Sequence, residues 1–188
     1  MARTSEYPDS NQNLDHQLRW QSLSKETLME LLRLYGELFA AIDGFWYLAV
    51  KERNNDENAL ACDLWAWEKY IRYELKRIVK VLNISGNDVA ALMKALQLSP
   101  WFTHQTFEVG LKGKNHAILT VTRCNTLEAL EKENGERIGT ICGTVDPFVF
   151  KKYAEFFNPE IKVKPLKLPP RQSKQEICCQ WEFSAEPS

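Results

Sequence analysis

Apolar residues recur at helical spacing through the first half of the chain and at strand-like spacing through much of the second. From Ser24, a good N-cap, Leu28, Leu31, Leu32, Tyr35, Leu38 and Phe39 predict a helix. Phe45, Trp46, Leu48 and Val50 carry the pattern past Gly44, a point at which the helix is free to bend, to about Glu52. Asn54-Asn55-Asp56 reads as a turn. Asp56 then caps a second helix through Leu60, Leu64, Trp67, Ile71, Leu75, Ile78 and Leu82, ending near Gly86. A shorter third helix is predicted from Val89 to Leu98, stopped by Pro100.

From Trp101 the character changes. Residues 101–109 and 116–123 are rich in Thr, Val, Phe and Ile and read as strands, with hairpin residues from Gly110 to Asn115 between them. Thr126 to Glu133 predicts a short helix closed by Gly135. Asp146-Pro147 reads as an N-cap with Pro at the first helical position, opening a helix through Phe150, Tyr153 and Phe157. Two further strands are expected over 160–168 and 177–184, separated by Pro169-Pro170. The fold class is therefore α+β: a helical N-terminal half of two long helices and a short one, packed with a small antiparallel β-sheet carrying two helices. Polar residues 1–13 are expected to be a disordered lead-in, and 14–188 a single α+β domain with a helical lobe (14–99) and a sheet lobe (100–188).

The chain has 188 residues, 44% hydrophobic and 26% charged, with six Trp, nine Phe and six Tyr. This is enough large apolar surface for a core without disulfides. A net charge of −1 leaves no electrostatic footprint for nucleic acid or an anionic membrane. The longest apolar stretch, Leu38 to Val50, is interrupted by Asp43 and is too short to span a bilayer. No apolar signal segment opens the chain, and five cysteines without framework spacing point to a reducing cytoplasm.

Candidate chemistry is sparse. Asp43 interrupts Leu38–Trp46, where a buried carboxylate needs a partner or a proton. It is either a pocket-lining acid or the cap of a segment beginning at Gly44. Asp63 and Glu68 flank Trp65 and Trp67 on the second helix. Those two tryptophans lie about 200° apart around the helix, so one belongs to the core and the other faces outward. Asp43, Trp46, Asp63 and Trp67 are the candidate ligand-binding residues. Cys124, Cys142 and Cys179 are expected at one end of the sheet, where with His104 or His116 they would make a zinc site; simply buried thiols are the alternative. Cys142, just ahead of a helix start, is a weak candidate nucleophile. Strand alternation from Ile177 places Cys179 inward and leaves Cys178 the more exposed thiol. No histidine falls in the long helices, which excludes a di-iron bundle, and no hydrolase, P-loop, dinucleotide or zinc-protease motif is present.

Leu38 through Trp46, Asp63-Leu64-Trp65, Cys124, Gly135, Cys142, Phe156, Asn158 through Val163, Pro169-Pro170 and Cys179 through Phe183 resemble an uncharacterised family of small prokaryotic cytosolic proteins, over about residues 28–183. The C-terminal half is distantly similar in layout to 4-vinyl-reductase-type ligand-binding domains and to relatives of thiazoline-carboxylate hydrolase. The family pattern has further cysteines before the Pro-Pro pair and an Asp after it. Pro165, Leu168 and Arg171 stand there instead, which weakens a metal site using those places. The expected function is binding of a small, partly apolar ligand in a pocket between helices and sheet, by a cytoplasmic homodimer. The alternatives are a thiol- or metal-assisted hydrolase and a structural protein without a pocket.

Overall fold

A computed structural model describes residues 19–133 and 135–186. The expected lead-in 1–13 lies outside them. Helix α1 (Lys25–Arg53) starts where Ser24 accepts the Thr27 N–H, and runs through Gly44 without interruption. Asn55, not Asp56, caps α2 (Asp56–Val81), accepting the Asn58 N–H at 2.8 Å. A polar oxygen one residue earlier serves the same unpaired donors. Asp88 caps the short, almost wholly buried α3 (Val89–Leu96).

The expected strand over 101–109 is shorter. Residues 101–104 form turns after Pro100, and β1 spans Thr106–Leu111. It pairs with β2 (His116–Arg123). Then follow α4 (Asn125–Lys132), one turn of helix α5 (Ile138–Thr140), a wide π-helical turn (Ile141–Val145) and α6 (Asp146–Phe157). Asp146 is not the cap expected of it: its own backbone and that of Val145 are already helical, and its N–H bonds to the Ile141 carbonyl five residues back. Pro147 has no N–H to continue the regular ladder, so the helix passes through a wider turn at this point. Strands β3 (Lys162–Lys167) and β4 (Cys179–Ser184) complete an antiparallel sheet of order β1-β2-β4-β3.

The core lies between the sheet and α2, α3 and α6. Trp181 and Phe183 of β4 stand beside Ala117, Leu119 and Val121 of β2, and Phe150 packs on both aromatics at 4.7 and 5.7 Å. α1 packs along α2 and approaches the rest of the fold at Gly36. A Cβ there would lie 2.0 Å from Thr103 Oγ1 and 2.6 Å from the Pro100 carbonyl, so glycine is what admits this close contact. Among the described residues no helix is long and apolar enough to cross a membrane.

Candidate functional site

Asp43 lies in the middle of α1, so its reading as a cap is corrected: it is an acid inside an unbroken helix. Where α1 runs beside α2, the side chains of Asp43 and Asp63 hydrogen-bond to each other. Two carboxyls can do this only with a proton between them. Burial pushes both above the ordinary carboxylate range, and the negative charges of Asp43 and Asp146 push Asp63 further. The polar edge of the neighbouring Trp67 indole opposes the shift.

Asp146 is the third acid. Burial pushes its pKa up to about 7, against the effect of the Cys142 thiol four residues earlier. Among the described residues, Asp43, Asp63 and Asp146 take part in no ion pair.

Two recesses meet at this cluster. A groove of 790 Å³ lies between α1 and α2, walled by Phe39, Ile42, Trp46, Trp65 and Trp67. A narrower cleft of 360 Å³ runs from α1 and α2 towards α4, the π-turn and α6, past Trp101 and His104. Asp43, Tyr47, Asp63 and Trp67 line both. Neither recess lies between helices and sheet, as the sequence led one to expect: no strand residue lines either, because Trp181, Phe183, Leu119 and Val121 fill that layer. All four residues expected to bind ligand, Asp43, Trp46, Asp63 and Trp67, line the groove. Trp67 is the core tryptophan of its pair at 4% exposure, and Trp65, at 64%, stands at the rim.

Edge-on aromatic contacts lead along the cleft: Trp67 to Trp101 at 5.2 Å, then Trp101 to His104 at 6.0 Å. His104 is buried, and neither of its ring nitrogens has a hydrogen-bond partner among the described residues. Burial holds its pKa low, against the Pro100 carbonyl and Glu37, which favour the charged ring. The imidazole therefore presents an unprotonated nitrogen.

The thiols lie behind the acids. Cys142 is buried on the π-turn, Cys124 caps α4 by accepting the Leu127 N–H at 3.4 Å, and Cys179 opens β4. Burial raises all three, and the charge of Asp146 adds to it; Cys124 is pushed up to about 12 and the other two higher. Cys124, Cys142 and Cys179 thus share one neighbourhood, but among the described residues no three His, Cys, Asp or Glu side chains are arranged to hold a metal ion. His116 lies at the far end of β2, opposite Ser184, with Nε2 3.0 Å from Glu182.

The order of the adjacent thiols is reversed from expectation: Cys178 is fully buried and Cys179 partly so. Cys178 precedes the strand, so side-chain alternation does not govern it. Its N–H bonds to the Val121 carbonyl at 2.8 Å, and Arg171, clamped on Glu131 by bonds of 2.7 and 2.9 Å, covers its sulfur. Sequence reasoning missed Asp146, Tyr47 and Trp101 as site residues. The signal for Asp146 was its i, i+4 spacing from Cys142, legible only if 138–157 is taken as one helical run.

No curated protein and no solved structure matches the chain. Residues 21–185 match the model of DUF6125, a family of unknown function, and the chain belongs to that family.

Proposed function

We propose that the protein binds a small, partly apolar ligand in the joined groove and cleft. The carrying observation is the meeting of two recesses at a half-buried carboxyl pair, Asp43 and Asp63, with the indole of Trp67 beside it. Apolar walls with a few converging polar groups are the usual composition of a small-molecule site. The test is titration with a mixed set of aromatic amphiphiles, followed through the indole N–H resonances of the six tryptophans. Shifts at Trp67 and Trp46 are expected; if no member of the set moves Trp67, the reading falls.

The hydrolase alternative draws less support. A nucleophilic thiol needs its thiolate, and burial next to Asp146 keeps Cys142 protonated. A second reading concerns assembly. Leu38, Ile42, Phe45 and Trp46 of α1 and Trp65 of α2 are each more than half exposed, an apolar surface of the kind that marks an interface. A cytoplasmic homodimer, two α1–α2 hairpins facing each other, fits that surface and keeps the five thiols reduced.

A further inference from the structure

We propose that the ligand is an organic cation, a protonated amine on an apolar or aromatic body, whose charged head sits among Asp43, Asp63 and Asp146. This rests on the reading of the joined recesses as a binding site and adds the chemical class.

Charge balance along the cleft carries the inference. Glu37 is held by Arg33 and by Asn125, and Glu133 by Arg137, which also lies over the Tyr47 ring. Once those pairs are set aside, three carboxyls remain with no cation among the described residues. They come from three separate elements, α1, α2 and α6. The remaining groups beside them are the thiols of Cys124, Cys142 and Cys179, which feel the charge of Asp146, the Tyr47 hydroxyl, which donates to Asp56, and the indole of Trp67. None of these carries positive charge.

An anionic ligand would meet like charge here, and a neutral one would leave the acids to share their proton. A cation displaces that proton and gives the carboxylates the partner their burial demands. An independent observation points the same way. His104, 6% exposed, is among the residues lining the cleft, and neither of its ring nitrogens has a partner among the described residues; an uncharged imidazole carries one lone pair, which suits an N–H donor. The aromatic walls complete the match. Trp67 and Trp101 line the cleft, and Trp46 and Trp65 rim the groove, where ring faces attract a cation during entry.

The experiment compares three ligands of one shape by calorimetry and indole resonances: phenethylamine, 2-phenylethanol and 3-phenylpropanoate. Phenethylamine should bind about tenfold or more tighter than 2-phenylethanol, and 3-phenylpropanoate weakest. The amine stays charged throughout, so its affinity should rise about tenfold from pH 5.5 to pH 8 as the shared proton becomes easier to displace. Asp63→Asn should abolish both the preference and the pH dependence, with a retained cooperative thermal transition showing that the variant is folded; Asp43→Asn serves as the second variant. Equal binding of all three ligands at Trp67, or a preference that survives Asp63→Asn, overturns the cation assignment and leaves the recess reading standing. No response at Trp67 to any of the three overturns both.

Discussion

Tyr153 on α6 donates a 2.7 Å hydrogen bond to Glu74 on α2, joining the two longest-separated helices of the core through a buried carboxyl. Ser99 Oγ lies 3.1 Å from the same tyrosine oxygen, Tyr70 lies close by, and Glu74 Oε1 has no hydrogen-bond partner among the described residues. Burial raises the pKa of Glu74 more than these bonds lower it, so the proton-bearing acid is the form the core prefers. Glu74→Gln, which mimics that neutral form, should cost less than about 1 kcal/mol, whereas Tyr153→Phe, which strands a buried oxygen, should cost about 1–3 kcal/mol. Urea unfolding midpoints check both. A larger loss for Glu74→Gln than for Tyr153→Phe would mean that Glu74 is held ionised.

The unliganded protein should be more stable at pH 5 than at pH 8. Asp146 is raised from 3.8 to about 7 in the folded state. Between those values the folded chain binds more protons than the unfolded one, so stability is full below the unfolded pKa and is lost as pH rises through the folded one. Asp43 and Asp63 act in the same direction. Glu131, held below the usual range by Arg171, has the opposite sign, but only at more acidic pH; His104, whose pKa burial lowers, also opposes the trend near and below its ordinary 6.5, where the three aspartates outweigh it. Asp146→Asn should flatten the slope by about 1–2 kcal/mol, allowing for partial solvent screening. Melting temperatures across pH 5–8 decide it, and a wild-type maximum at pH 8 would contradict the proton-sharing site.

Two glycines of α1 should respond oppositely to alanine. At Gly44 a Cβ meets nothing within 4 Å, so Gly44→Ala should stabilise the helix by about 0.5–1 kcal/mol. At Gly36 it would strike Thr103 and the Pro100 carbonyl, so Gly36→Ala should destabilise by about 1–3 kcal/mol. The same shift would move the turn that carries His104, and phenethylamine affinity should fall with it.

Thiol labelling should show one fast site. Cys62 is exposed on α2, while Cys142 and Cys178 are buried and Cys124 and Cys179 are partly covered. One equivalent of thiol should react quickly with an aromatic disulfide at pH 8, and Cys62→Ser should remove that phase. A fast phase that persists in the variant would show that the region around the π-turn opens readily.

The outer face of α1 gives a test of assembly. Leu38→Lys with Phe45→Lys places charge on two side chains that are 55% and 66% exposed, so the fold itself should tolerate both. Light scattering after gel filtration should show a dimer for the wild type and a monomer for the double variant. A wild-type monomer would remove the dimer reading.

Much of this molecule is legible one segment at a time. Ser24 announces α1, the Trp67-Ile71-Leu75 stripe announces the buried face of α2, and the 177–184 alternation places Trp181 and Phe183 on one inward face. These signals are local: a side-chain oxygen meets a free N–H three residues on, or a fixed period repeats along one element. The oddity of Asp43 was visible for the same reason, as a charge set in an apolar run.

What the chain order could not disclose is partnership across elements. Asp43 and Asp63 become neighbours only because α1 and α2 lie side by side, and Asp146 joins them only because the start of α6, just after the π-turn, packs near α2. Cys178 is covered by Arg171 through a loop clamped on Glu131, forty residues away in sequence. Local propensity and periodicity settle which segments become helix or strand. The pKa of a carboxyl or thiol depends on desolvation and on charges a few ångströms away, and those distances exist only once the elements have packed.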